Sequence, residues 1–430
     1  MSFPRYPEYK PSGVEWLGDV PEHWEVKRLK FTAPLVTERA ETRCNPIALE
    51  NIEGWTGTLV PTDSQFEGEG TQFRTGDILF GKLRPYLAKI HLATRAGEAV
   101  GDFHVVRPTS DVYGKFLQHS MLRREFIDII DGTTFGSKMP RASWEALGGM
   151  PTALPPLPEQ RAIAAFLDRE TAKINGLVAE QQRLIELLKE KRQAVISHAV
   201  TKGLDPKAPM KPSGVEWLGD VPAHWVTRKL TRAFQTIGSG TTPRSDNLAY
   251  YEPGHVPWVN TGDLTDGELS SCEKLVSLMA VEDYPSLRVY PAGSLLVAMY
   301  GATTGKLGLL GFDATVNQAC CAFVGNDLIR ARFLFYWLLG YRTQLLSLAS
   351  GGGQPNISQE VLRGLRVAAP TPAEQDRIVE YLLDASAQAD TLIAQAESAI
   401  TLLQERRSAL ISAAVTGQID VRNTVATEAA

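Results

Sequence analysis

Residues 159–205 read EQRAIAAFLDRETAKINGLVAEQQRLIELLKEKRQAVISHAVTKGLD, with no internal proline and no glycine but Gly176 before Gly203. Apolar residues return at steps of four, three and seven: Ile163, Leu167, Ile174, Leu177, Leu184, Leu188 and Val195, with Glu170, Gln181 and Lys191 filling the gaps. A mean step of about 3.5 marks a coiled-coil seam, narrower than the stripe of a helix lying on a globular core. Some 40 helical residues at about 1.5 Å each would form a rod about 60 Å long. Such a helix takes its stability from packing, so it needs a partner.

The partner lies in the same chain. Residues 374–420 read EQDRIVEYLLDASAQADTLIAQAESAITLLQERRSALISAAVTGQID and align with the first stretch without a gap at an offset of 215. Glu159-Gln160 matches Glu374-Gln375, Lys191-Arg192 matches Arg406-Arg407, and Val200-Thr201 matches Val415-Thr416. The second seam reads Ile378, Leu382, Ala385, Ala389, Leu392, Ala396, Ala399, Leu403, Arg406 and Leu410. Small residues here stand where the first helix is large, which favours close approach. Two unrelated helices, each capping its own domain, would have no reason to share register over this length.

A second repeat precedes the first. KPSGVEWLGDVPEHW at 10–24 recurs as KPSGVEWLGDVPAHW at 211–225, an offset of 201, so the second globular part is longer by 14 residues. The chain therefore reads as two copies of one unit: opening motif, globular domain, long helix. The expected parts are a first domain at 1–157, a long helix at 158–205, a second domain at 206–372, a second long helix at 373–421, and a disordered tail at 422–430. Trp16 and Trp217 of the opening motif are expected to pack. Mixed strand-like and helical runs within each domain give an α+β class. Strands are expected at 77–80, 87–92, 103–106, 255–260 and 294–299, helices at 114–130 and 331–348, and loops at 132–139, 238–244 and 351–357. The two long helices are expected to form an antiparallel coiled coil, giving a pseudo-twofold tandem repeat. Antiparallel pairing would bring the end of the last helix beside residues 10–24.

No stretch of 18 apolar residues is present, and the polar start MSFPRYPEYK lacks the apolar core of a signal peptide. Cys44, Cys272, Cys320 and Cys321 show no metal-ligand spacing, and adjacent Cys320 and Cys321 are poor disulfide partners, so a reducing cytoplasm is expected. The net charge of −5 is uneven: residues 373–430 carry 4 basic against 9 acidic side chains, while residues 1–372 balance. Any contact with a polyanion would have to come from local basic clusters.

Catalytic patterns are missing. Gly301-Ala-Thr-Thr-Gly305-Lys306 is one residue short of a phosphate loop, and Leu307 stands where Ser or Thr would hold magnesium. Asn45-Pro46 continues into Ile47, so the motif that holds a flipped adenine fails. The seven histidines are scattered without ligand spacing. No catalytic residue and no metal site is assigned. Basic residues among small and aromatic ones remain: Lys82, Arg84 and Lys89 around Tyr86, then Lys138 and Arg141; in the second half Thr242, Arg244, Trp258, Asn260 and Lys306. Guanidinium and amide groups suit guanine and adenine edges, and lysines suit phosphates. A solvated charged face is the alternative for each.

The ensemble resembles the specificity subunit of a type I restriction–modification enzyme. The residues that carry the resemblance are the Pro-rich approaches to both helices, PPLPEQRAIAAFLD at 155–168 and PTPAEQDRIVEYL at 370–382, with GDILFGKLRPYLAKI at 76–90, TTPRSDNLAYYEPGHVPWVNTGDL at 241–264 and GSLLVAMYGATTGKLG at 293–308. It covers nearly the whole chain. The resemblance implies two target-recognition domains, each reading one half of a split double-stranded DNA target, with the helix pair as a ruler between them. It implies two modification subunits that bind S-adenosylmethionine, and restriction subunits that use ATP and Mg2+. No cofactor is expected on this chain. The domains share a plan but little sequence, which implies an asymmetric target. A coiled-coil scaffold that binds protein only and a stand-alone DNA-modifying enzyme are the competing readings.

Overall fold

The computed structural model of the chain describes residues 3–40, 44–62, 70–136, 138–325, 328–350 and 355–422. The tail beyond 422 and part of the 351–357 loop lie outside the described residues. Two compact units emerge: Met1–Gln182 with Glu397–Ala430, and Arg183–Ala396. Each combines one globular domain with part of each long helix.

In the first unit an antiparallel sheet runs in the order Leu35–Val36, Phe103–Val106, Ile78–Gly81, Ile90–Leu92. A second sheet orders Pro46–Ile47, Gly97–Val100 and Gly70–Phe73, its first pair parallel. The second unit repeats this plan. Phe234–Ser239, Cys320–Gly325, Leu295–Ala298 and Leu307–Leu310 form the larger sheet, with Gly267–Leu269 added at its edge. Leu275–Val276, Val256–Val259 and Thr315–Val316 form the smaller. In the larger sheets register matches as well as order, Leu79 opposing Val105 as Leu296 opposes Ala322. In the smaller sheets the parallel pair recurs, Pro46 with Glu98 and Trp258 with Thr315, but the third strand joins Gly97–Val100 in the first unit and Val256–Val259 in the second. The central strands Ile78–Gly81, Leu295–Ala298 and Leu307–Leu310 are buried at every position, so they read as short apolar runs and not as alternating ones.

Four expected elements differ. The run 87–92 is strand only over Ile90–Leu92, Leu87 closing the 3-10 turn Pro85–Leu87. The run 114–130 is two helices, Gly114–Met121 and Arg124–Gly132. Arg123 between them is extended, and its buried guanidinium lies over the Trp16 ring at 4.5 Å, a position that a continuous helix would not give it. The run 331–348 likewise splits into Ala331–Gly340 and Arg342–Ser347, with Tyr341 packed on Trp217 and Trp337. Gly238 and Ser239 are strand residues opposite Ala322 and Cys321, not loop.

The long helices run Leu157–Lys202 and Pro372–Val415. Within the first unit Ile163, Phe166 and Leu167 share a core with Ile411, Ala414 and Val415. Within the second, Ile196, Ala199 and Val200 share one with Ile378, Val379 and Leu382, while Arg192 pairs with Asp390 at 2.6 Å. Rising numbers on one helix meet falling numbers on the other, so the helices pair antiparallel. The seam is displaced from its expected line. Ile163, Leu167, Ile174, Ile378 and Leu382 are buried, and Leu188, Val195, Leu403 and Leu410 are half-buried. Leu177, Leu184 and Leu392 are 51%, 43% and 48% exposed. Ile185 is buried, and Val178 and Ile393 are half-buried, one residue further on. The steps Ile174, Val178, Gln181, Ile185, Leu188 keep the alternation of four and three that a supercoiled pair requires. Leu177 and Leu184 precede Val178 and Ile185 by one residue, about 100° around the helix, and so fall outside the seam.

Candidate nucleic-acid interface

The repeated opening motif and the Glu-Gln pair form a single device. The Trp24 indole donates to Glu159 Oε1 at 3.0 Å, and the His23 ring meets Glu159 Oε2 at 2.8 Å. In the second unit the Trp225 indole donates to Glu374 Oε1 at 3.1 Å, and the His224 ring meets Oε2 at 2.9 Å. Gln160 accepts from the Tyr113 amide and donates to the Pro155 and Asp111 carbonyls. Gln375 accepts from the Arg330 amide and donates to the Pro370 and Leu328 carbonyls. Trp24, Trp225, Gln160 and Gln375 are all fully buried. Buried polar groups must find partners, so each Glu-Gln pair fixes its domain to the start of its long helix. The end of the last helix closes on the same spot: Tyr9 donates to the Gly417 carbonyl at 2.9 Å, and a Cβ at Gly417 would fall 2.3 Å from Pro21. With φ +74, Gly417 is also in a left-handed turn that glycine favours.

Away from the anchor, each domain crosses two segments beside its central strand. In the first unit the chain leaving Ile78–Gly81 meets residues 140–142: the Arg84 amide donates to the Pro140 carbonyl at 2.8 Å and the Ala142 amide to the Lys82 carbonyl at 2.9 Å. Leu83 and Phe135 both bridge to Arg141. In the second unit the Ile357 amide donates to Met299 at 2.7 Å, and Tyr300 and Ser350 both bridge to Asn356. His104 supports the first crossing from beneath. Burial lowers its pKa, so the ring is neutral near pH 7, and Nε2 donates to the Ala142 carbonyl at 3.0 Å.

The structure brings four of the first domain's basic residues to this crossing. Arg141 grips Asp102 through Nε at 3.1 Å and Nη2 at 3.0 Å, which raises its pKa further. Lys82 approaches the same carboxylate at 3.8 Å. Arg84 is exposed with φ 51, and Lys138 is exposed. Arg84 and Ala88 bracket the turn Pro85–Leu87, both in the left-handed region that non-glycine residues rarely adopt. Tyr86, Phe135 and Met139 are exposed around it at 46%, 67% and 48%. Lys89 stands apart, its ammonium spent on the Leu49 carbonyl at 2.6 Å.

The second domain's candidates divide. Lys306 is exposed at the turn between Leu295–Ala298 and Leu307–Leu310. Arg244 is exposed and forks onto Asp246 at 3.2 and 2.8 Å. The Thr242 hydroxyl donates to Gln318. Trp258 is not a surface group: it is 6% exposed, packed with Tyr251, Val276 and Ala280, with its indole donating to the Thr241 carbonyl. Its strand position faces the small core, where an indole contributes most. Asn260 is half-buried and structural, its amide donating to the Trp258 carbonyl and accepting from Asn317 at the cap of a 3-10 turn.

The sequence reading missed Asp102, Phe135 and Asn356. Asp102 is an acid amid basic residues, and only the fold sets it under Arg141. Asn356 could have been found by the offset of 215, which maps it onto Arg141. Among the described residues no group of three His, Cys, Asp or Glu side chains could hold a metal ion. No helix of the described residues is long and apolar enough to cross a membrane. Burial pushes the Cys321 thiol up to about 12.

Residues 222–402 match the family model described as the type I restriction modification DNA specificity domain. The chain is similar to the EcoDI specificity subunit of Escherichia coli, 27% identical over 185 residues that span 40% of this chain and 41% of that protein. It thus matches about two fifths of that relative's length. A solved chain from work on complex assembly and conformational transition of the type I R-M system superposes with a TM-score of 0.75, 19% identity, and coverage of 92% and 98%. The HsdS subunit from Thermoanaerobacter tengcongensis superposes with a TM-score of 0.56, 19% identity, and coverage of 93% and 98%. At this identity the two structures establish the fold.

Proposed function

We propose that this chain, which carries a type I restriction modification DNA specificity domain at residues 222–402, is a specificity subunit that reads a bipartite, asymmetric double-stranded DNA target, one half per globular domain. The observation that carries the reading is the contrast within the duplication. The two domains share anchors and the strand order and register of the larger sheet, yet the crossings beside their central strands carry different side chains. A duplicated scaffold with divergent polar and aromatic faces is what recognition of two different half-sites requires. Lys82, Arg84, Lys138 and Arg141 in the first domain, and Arg244 and Lys306 in the second, are the residues assigned to DNA, lysines to phosphate and arginines to phosphate or guanine.

In this reading the chain supplies no catalytic group. Chemistry resides in two modification subunits, which dock on the helix pair and use S-adenosylmethionine, and in restriction subunits driven by ATP and Mg2+. The assembly works in the cytoplasm. Exposed Leu177, Leu184, Leu383, Leu392 and Tyr381 leave apolar surface on the outer faces of the helices, suited to protein partners. The reading is tested by coexpressing the chain with its modification subunit and mapping methylated adenines across a genome. A two-part motif that appears only with this chain is the expected result. A complex that forms without any chain-dependent methylation would favour a protein-binding scaffold.

A further inference from the structure

We infer that Arg141 and Asn356 are equivalent base-reading residues, Arg141 selecting a guanine in one half-site and Asn356 an adenine in the other. This rests on the DNA-recognition reading above and assigns base identity within it.

The two residues occupy one place in the duplicated fold. Arg141 bridges both Leu83 and Phe135; Asn356 bridges both Tyr300 and Ser350. The residue that follows each donates to the exit of the central strand, Ala142 to Lys82 and Ile357 to Met299. Each is thus set by backbone bonds on both sides, on a crossing pinned to the most buried strand of its domain. Arg141 is half-exposed, with 43% of its side chain accessible. Asn356 is exposed, and its side-chain amide makes no hydrogen bond among the described residues.

Chemistry then separates them. Asp102 takes the lateral edge of the Arg141 guanidinium, through Nε and Nη2. A guanidinium has five N–H donors in a rigid fork, so the end-on pair formed by Nη1 and the second hydrogen of Nη2 stays available. Held by a carboxylate and presented end-on, that pair matches the two acceptors O6 and N7 of guanine. The Lys82 ammonium near the same carboxylate offsets its charge, which would otherwise repel phosphates. Asn356 instead offers one donor and one acceptor, the pattern that matches N7 and N6 of adenine. Asp102 is therefore a positioning residue for Arg141.

The test uses the assembled complex with its modification subunits and a panel of duplexes carrying each base at every position of both half-sites. In the wild type, replacing one guanine in the first domain's half-site and one adenine in the other weakens binding by about 5- to 150-fold each. Arg141→Ala erases the guanine preference and leaves the other half-site's profile unchanged; Asn356→Ala does the reverse. Arg141→Lys, whose ammonium can still donate to O6 and N7 without the rigid fork, keeps a weakened guanine preference, which a collapsed domain would not show. Asp102→Asn weakens the guanine preference without abolishing affinity. Variants that bind less tightly but retain every base preference would assign these residues to phosphate and overturn the inference alone. A wild-type complex without any base preference would bring down the recognition reading as well.

Discussion

Glu159 and Glu374 hold the same post in the two repeats, at the first turn of the long helices, yet they carry different loads. Glu159 takes the Trp24 indole, the His23 ring and, at 2.6 Å, the Tyr6 hydroxyl. Burial and that carboxylate push the Tyr6 pKa well above its ordinary range, so it stays a donor. Glu374 takes Trp225 and His224. The neighbouring helices diverge further. Gly114–Met121 buries His119 against Asp168 of the long helix at 2.9 Å, with Lys115 at 3.3 Å from the same carboxylate. Its counterpart Ala331–Gly340 buries Phe333, Leu334, Tyr336 and Trp337. The lesson is one of hierarchy. Groups that fix a domain to the helices are common to both repeats, the packing around them is free to be ionic or apolar, and the outer crossings differ in chemistry altogether.

The helix seam offers the largest effect by which to sharpen this account. Ile185→Ala should destabilise the second unit by about 2–5 kcal/mol, as buried large-to-small changes do, while the adjacent Leu184→Ala should stay within about 0.5 kcal/mol. Denaturant unfolding of the two variants checks it, and equal losses would return the seam to Leu184. A smaller effect separates the anchors. Glu159→Ala strands three donors and Glu374→Ala two, so the first should cost about 1–3 kcal/mol more, one further charge-assisted bond with its unsatisfied partner. Equal costs would show that Tyr6 adds nothing to the anchor.

The smallest expected effect is a pH dependence confined to the ionic repeat. Burial lowers the His119 pKa, and the groups that face it are Asp168, Lys115 and Arg407. Burial also opposes ionisation of Asp168, but His119 and Lys115 outweigh it and hold its pKa down. A base with a depressed folded value binds more protons when unfolded, so stability falls as pH drops through the ordinary histidine value of 6.5. The depressed Asp168 acts in the same direction at lower pH. His119→Gln should flatten the fall in Tm between pH 7.5 and pH 5.5, read by thermal unfolding. An unchanged slope would place the pH dependence elsewhere.

Much of this was legible in the chain. Two gapless repeats at offsets of 201 and 215 expose the duplication, and the order of apolar runs locates the central strands. The seam slipped because Leu184, Ile185, Leu187 and Leu188 crowd one turn, where several registers satisfy the period. The site was legible as residue types and not as roles. Lys89 and Trp258 look like DNA contacts until the fold shows the carbonyls they serve. Asp102 becomes visible only when a turn between strands sets it beneath Arg141.

The central claim is the division of labour between the domains, and exchanging one of them tests it most directly. Residues 206–372 are replaced by the second domain of a relative with a different target, keeping both long helices, and methylated adenines are mapped genome-wide. The account predicts that one half of the methylated motif changes and the other half stays. A motif that changes in both halves, or in neither, would contradict it.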